Sequence, residues 1–319
     1  MGRIAYRRMS GPIGLTDEEK GTRGLWWEKR KALLAFLLKR GHTIDIVNKM
    51  TKPSEGMQKE FTGVYDHLII EFGSRNKAFY GSQIEETLQL IKRHRGEYIF
   101  LCDDPDLPFL WEELDSIDEK RWTVWHNAVR PQAFGKMPTN LRVLDMPFSS
   151  IQLSVAENKI ECSTDYQKTH LVYIGRPDGR KSAFIDLIAQ GVPFKVHGRQ
   201  AEWSELGVKT HESPDQPQRA NFYARQLGSL CIADSKHKIL RWRTGRAFHA
   251  IMAGCPAVFE QTHKAFEQYK IYKTPQHLKQ IIFNWSESSE ARYLDWNRQK
   301  MLINQDIAIA EHTAVLSGL

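Results

Sequence analysis

Three carboxylates, Asp103, Asp104 and Asp106, crowd the end of the stretch YIFLCDDPDLPF (residues 98–109), directly after an apolar run. Acids at the end of a buried strand have two uses. They can hold a turn, for which Asp before Pro is well suited. One of them can instead act as a general base, if apolar surroundings raise its pKa toward the working range. Local sequence leaves both uses open.

The second cluster is basic. The loop IGRPDGRKS sets Gly175 after an apolar run, with Arg176, Arg180 and Lys181 ahead of a helical pattern. Backbone N–H groups at a helix start, joined by guanidinium forks, suit a diphosphate. The loop is neither a Walker motif nor G-x-G-x-x-G, and an ordinary exposed basic turn has the same composition. The third is RWRTGRAFHAIMAGCPAVF, where Arg241, Arg243 and Arg246 precede a helix. Its small residues fall where a helix presses on a sheet, and it exits through Gly254 and Pro256. A plain amphipathic helix accounts for all of this except the arginines.

Such clusters need elements to hold them. Short apolar runs at Arg3–Tyr6, HTIDIV, YDHLIIEF, EYIFL, RWTVWHNA and RVLDMPF alternate with helical periodicity, as in LWWEKRKALLAFLLKRG, which closes at Gly41. After the polar stretch SVAENKIECSTDYQKT the pattern restarts. HLVYIG, VPFKVHG, LCIADS and the run after Pro256 read as strands. SAFIDLIAQG, with Ser182 as N-cap, and QRANFYARQLGS read as helices. SEARYLDWNRQKMLINQDIAIAEHTAVL is one long amphipathic helix carrying Tyr293, Trp296, Ile303 and Ile307 on a stripe. Strands alternating with helices imply two doubly wound parallel sheets, and in such sheets ligands bind beyond the strands' carboxyl ends. The expected domains are 1–160 and 161–290, followed by a closing helix over 291–319.

The 319 residues suffice for two cores. A net charge of +7 favours an anionic partner such as a polyphosphate or nucleic acid, although solubility alone would explain it. No run of 18 apolar residues occurs, and the first residues lack a secretory signal's apolar core, so a cytoplasmic protein with no membrane association is expected. The 4 cysteines are far apart, without C-x-x-C, and the 12 histidines include no H-E-x-x-H. A metal site is therefore not expected. Most aromatic residues fall at core positions, while Phe79, Tyr80, Trp122 and Trp125 lie near loops, where they could stack on a base.

Taken together, YDHLIIEFGSRNKAFYGS, YIFLCDDPDLPF, VYIGRPDGRKS and GRAFHAIMAGCPAV resemble, in order and spacing, the T-even bacteriophage DNA β-glucosyltransferase family. The likeness is diffuse and runs nearly end to end. It implies a GT-B fold, with two Rossmann-like domains facing a cleft and the C-terminal helix packing back toward the first. It also implies a monomer acting in the host cytoplasm, with UDP-glucose as donor, duplex DNA bearing a hydroxymethylated pyrimidine as partner, and Mg2+ or Mn2+ helpful but not obligatory. The family's catalytic base falls on Asp104, its diphosphate arginines on Arg176 and Arg180, and its nucleotide arginine on Arg246. Gly175, Gly198 and Asp234 match positions near the donor, and Pro214 lies in the loop facing the nucleobase. Arg75, Lys77 and Arg121 would hold DNA phosphates. The departure is His249, which stands where the family's ribose-binding glutamate belongs. Two other readings share much of this pattern: a GT-B enzyme acting on a glycan, lipid or protein, and a DNA-binding protein with a degraded donor site.

Overall fold

The computed structural model describes residues 1–7, 33–34, 36–46, 64–72, 94, 96–102, 122–126, 161–215 and 218–316. The chain divides into two units, Met1–Ser150 with Ala308–Leu319, and Ile151–Ile307.

The first unit is built on a parallel sheet of β1 (Arg3–Arg7), β2 (Thr43–Ile46), β3 (His67–Phe72), β4 (Glu97–Cys102) and β5 (Trp122–His126), in the order β2-β1-β3-β4-β5. That is the order of flavodoxin-like sheets, whose winding reverses between the first and third strands. Ile4, Leu68, Ile69 and Ile70 are fully buried, as strands covered on both faces require. Helical residues around Leu33, Leu34 and Leu37 end at Gly41, whose φ of 83° is the left-handed turn of a C-cap. Gly41 N–H donates to Leu38 O and His42 N–H to Leu37 O, the paired bonds of a Schellman motif. Asp45, buried on β2, accepts from Arg3 Nη2 at 2.6 Å and from Tyr65 Oη at 3.1 Å. Trp122 and Trp125, expected near loops, belong to strand β5. The strand expected over 142–148 lies outside the described residues.

The second unit holds six parallel strands: β6 (Leu171–Ile174), β7 (Phe194–His197), β8 (Thr210–His211), β9 (Ser229–Cys231), β10 (Ala257–Glu260) and β11 (Ile271–Tyr272). Their order, β11-β10-β9-β6-β7-β8, is that of a doubly wound dinucleotide-binding sheet. The described helices are α1 (Lys181–Ala189), α2 (Gln200–Trp203), α3 (Arg219–Ala224), α4 (Ser235–Leu240), α5 (Gly245–Met252), α6 (Pro275–Glu287) and α7 (Ser289–Leu316). Alternation along β6 sorts them onto two faces. Leu171 and Tyr173 pack with Phe184 and Leu187 of α1 and with Leu278, Ile281 and Trp285 of α6. Val172 faces the other way, against Tyr223 of α3 and Ala250 of α5. Trp296 and Ile303 of α7 close that second face near Phe259 and Phe266, while Tyr293 on the same helix stays 45% exposed. Helix α1 begins at Lys181 with Arg180 at its N-cap position, so Ser182 lies inside the first turn and does not cap it. Helix α3 is shorter than its sequence pattern, ending at Ala224.

His263, in the turn after β10, supplies a pH dependence. The ring is 1% exposed, packs against Phe259 and Phe266, and donates from Nε2 to Trp242 O at 3.1 Å. Its Nδ1 has no partner. Burial pushes the imidazole pKa down to about 4. The folded state therefore disfavours the proton that the unfolded chain accepts near its ordinary pKa of 6.5. Stability is complete above pH 6.5 and falls as pH drops toward 4, by about 3 kcal/mol from this group. Urea unfolding at pH 7 and pH 4.5 should show that loss, and His263→Gln should reduce it, leaving the part carried by His170, whose pKa burial also lowers to about 4.

Candidate functional site

The sheet of the second unit reverses its winding between β6 and β9, and the crevice beyond the carboxyl ends at such a point is where open α/β sheets bind ligands. The chain after β6 and the chain after β9 both deliver residues there.

Gly175 follows β6 with φ of +135°, a conformation that side chains resist. Its N–H donates to His197 O at 3.0 Å, and its carbonyl accepts from Trp203 Nε1 at 2.9 Å. A Cβ at Gly175 would lie 2.5 Å from Nη2 of Arg246. A Cβ at Gly198, which follows β7, would lie 2.8 Å from Gly175 O. Both glycines are required because backbone, carbonyl and guanidinium converge in one small space.

Arg246 enters that space from the first turn of α5. Its Cζ sits 4.6 Å from the centre of the Tyr173 ring. The side chain is partly buried, and among the described residues no carboxylate pairs with it. Guanidinium stays charged throughout the physiological range, so the switch point holds a fixed, half-desolvated cation.

Arg180 is committed differently. Only 8% exposed, it donates from Nε to Ile232 O at 2.8 Å, from Nη1 to Asp178 O at 2.9 Å and from Nη2 to Asp234 Oδ2 at 2.9 Å. All three nitrogens thus hold protein acceptors, and the side chain clamps the β6–α1 loop to the end of β9. Asp234 completes the clamp: it N-caps α4 by accepting from His237 N–H at 2.8 Å. Gly179 at φ +68° lets the loop press against it. Arg176 is 56% exposed at the side chain and ion-pairs with Glu202 at 3.1 Å, while its carbonyl accepts from Tyr173 Oη. His249 is 3% exposed inside α5, and Pro214 is half-buried in the segment after β8.

One feature of this edge has no counterpart among the sequence expectations. His197, at the end of β7, packs its ring at 4.6 Å from Phe222 and 5.3 Å from His211. Its Nδ1 lies 2.7 Å from Glu212 O, which can only accept, so the ring proton sits on Nδ1 and Nε2 is left as an acceptor. Burial lowers its pKa, which keeps the ring neutral at pH 7. The neighbouring Gly198 marked this strand end in sequence, but the ring cluster draws on three separate elements.

In the first unit, β4 ends at Cys102 within a parallel sheet, and the acids follow next in the chain. Asp104 itself, with Asp103 and Asp106, lies outside the described residues, as do Arg75, Lys77, Arg121, Phe79 and Tyr80. Among the described residues no three His, Cys, Asp or Glu side chains form a group that could hold a metal. Cys231 and Cys255 are buried, and burial pushes their thiols up to about 11 and about 12, which suits packing and not nucleophilic chemistry. No helix among the described residues is long and apolar enough to cross a membrane.

No protein-family model matches the chain, and no curated protein sequence matches it either.

Proposed function

We propose that the chain is a GT-B glycosyltransferase that moves a sugar from a nucleoside-diphosphate donor to the hydroxymethyl group of a modified pyrimidine in duplex DNA. The observation that carries the donor half is Arg246: a half-buried guanidinium with no carboxylate partner among the described residues, beside two glycine turns at the switch point of a dinucleotide-type sheet. A diphosphate supplies the missing negative charge, and the glycines let its oxygens approach the backbone. Arg176, already ion-paired with Glu202, lies exposed at the rim. Arg180 and Asp234 act as positioning residues that hold the loop in place. The acceptor half rests on the sequence resemblance, the basic balance of the chain, and the acids that follow a parallel strand of the other unit.

In this reading the acceptor oxygen attacks the sugar's anomeric carbon in line with the departing diphosphate. Its proton passes to the Asp104 carboxylate. The bond from the anomeric carbon to the phosphate oxygen breaks, its electron pair leaves with the diphosphate, and the configuration inverts. An acceptor base within a duplex must first be extruded, at a cost of a few kcal/mol.

The test is a donor screen by mass shift, beginning with UDP-glucose, on duplexes carrying 5-hydroxymethylcytosine or 5-hydroxymethyluracil. One donor should add one sugar mass per modified base, and unmodified DNA should stay unchanged. Arg246→Gln should weaken nucleotide binding about tenfold or more by titration, since charge-assisted contacts to phosphate are the strong ones. Failure of every donor on both duplexes sinks the acceptor assignment. Nucleotide affinity equal in Arg246→Gln and wild type sinks the donor site.

A further inference from the structure

A half-open pocket of mixed polar and apolar lining lies away from the switch point, against the edge strand β11. It measures about 230 Å³ and is lined by Tyr269, Lys270 and Ile271 at the start of β11, by His277 of α6, and by Asp295, Gln299 and the exposed Arg298 of α7. Strand β11 stands two strands beyond β9, so the cavity is separate from the Arg246 crevice.

Its floor and one wall are fixed. Gln299 is 1% exposed, accepts from Ala257 N–H and donates to Ala257 O, both at 2.8 Å, so its amide is spent on the sheet. Asp295 Oδ2 accepts from Trp285 Nε1 at 2.9 Å and from Lys270 Nζ at 2.8 Å. Both bonds fall on one oxygen, which leaves Oδ1 able to accept another. The donors around this frame are not exhausted. Lys270 uses one of its three N–H groups on Asp295. His277 Nδ1 accepts from Lys273 N–H at 3.3 Å, which places the ring proton on Nε2 as a donor. Arg298 makes no ion pair among the described residues. Lys270 and Asp295 cancel, and the guanidinium leaves the cavity one positive charge in excess.

We propose that this cavity binds a small phosphate monoester bearing a hydroxyl group. Three donor groups (the Arg298 fork, Lys270 and His277 Nε2–H) match the three terminal oxygens of a phosphate monoester, whereas a carboxylate offers only two. Asp295 Oδ1 takes the hydroxyl. The volume equals that of about seven or eight waters and falls below the ~300 Å³ at which drug-sized pockets begin. That favours a three- to six-carbon phosphate over a nucleotide. The inference does not depend on the proposed glycosyl transfer.

The test is calorimetric titration of the full chain with glycerol 3-phosphate and, separately, with inorganic phosphate. Glycerol 3-phosphate should bind saturably, about tenfold more weakly in Arg298→Gln, with circular dichroism and the unfolding midpoint unchanged. Inorganic phosphate should bind more weakly than the ester and show the same dependence on Arg298. Asp295→Asn, which keeps an oxygen for Trp285, should lower the ester's advantage over inorganic phosphate. Absence of saturable binding by either probe overturns the proposal, as does equal affinity in Arg298→Gln and wild type. Equal affinity of the wild type for the two probes removes the hydroxyl contact and with it the ester assignment.

Discussion

Replacing Arg292 by methionine should lower the unfolding free energy of the second unit by about 3–5 kcal/mol, because several buried acceptors lose their donor at once and each one left unsatisfied costs about 1–3 kcal/mol. Arg292 stands near the start of α7 with no exposed surface. Its Nε donates to Leu227 O at 2.8 Å, and its Nη2 to Gln226 O at 2.8 Å and Gly254 O at 3.3 Å. Nη1 donates to Ser163 O at 3.1 Å and contacts the Cys162 thiol, and the guanidinium lies 4.0 Å from the centre of the Tyr166 ring. No carboxylate is among these partners. The compensation comes instead from carbonyls, those of residues 226, 227 and 254 lying just past the ends of α3 and α5, where helix dipoles are negative. Methionine fills similar space but strands four carbonyl oxygens in the core, each needing a donor. Lysine keeps the charge yet has only three N–H groups on one atom, so Arg292→Lys should lose less than methionine while remaining clearly destabilised. Urea unfolding followed by the fluorescence of buried Trp285 and Trp296 reads both variants. A loss below about 1 kcal/mol for Arg292→Met would show that the buried charge costs nearly as much as its bonds return.

Arg292 also marks the limit of what sequence periodicity reveals. An arginine three residues into an amphipathic helix reads as surface, because its five acceptors come from segments up to 130 positions away. The same blindness affects Arg180. Its place in a basic loop suggests a ligand fork, yet its main acceptors, Ile232 O and Asp234, arrive from β9 and the turn beyond. What local chemistry dictates was legible. The run LVYI is apolar throughout because β6 is covered on both faces. Gly41 ends its helix through a left-handed turn, and α7 spans the whole of the long amphipathic pattern. The two-residue strands β8 and β11 carry too little pattern to be seen; the sheet beside them makes them strands. Helix α6 escaped for a different reason. Its start signal, Thr274 capping His277 N–H with Pro275 in the first turn, is present, and Leu278, Ile281, Ile282 and Trp285 have helical spacing. Exposed Phe283 blurs that stripe. At the candidate site, Gly175 after a strand and Arg246 before a helix each left a local trace, whereas Gly198 was named only through the family resemblance.

If Asp104 is the general base of the proposed transfer, Asp104→Asn should lower kcat by about 10²–10⁴-fold, the range set by positioned proton transfer. The effect should leave donor affinity unchanged, because the anion anchor, Arg246, belongs to the other unit. Arg246→Gln should show the converse, with its main loss in donor affinity. This separation follows from how the chain divides its chemistry: the acids come after β4 of one sheet, the cations after β6 and at the start of α5 of another. Asn is nearly isosteric with Asp but cannot accept the hydroxymethyl proton. A turn-holding role would be rescued by Asn, which serves turns as well as Asp does. The two original uses of the cluster are therefore distinguished by one substitution. Retained kcat in Asp104→Asn assigns that acid to the turn. Loss of kcat with intact donor binding and an unchanged unfolding midpoint assigns it to the chemistry. Asp103→Asn and Asp106→Asn serve as internal controls, expected to shift kcat far less, since only one of three neighbouring carboxylates can be in line with the acceptor oxygen.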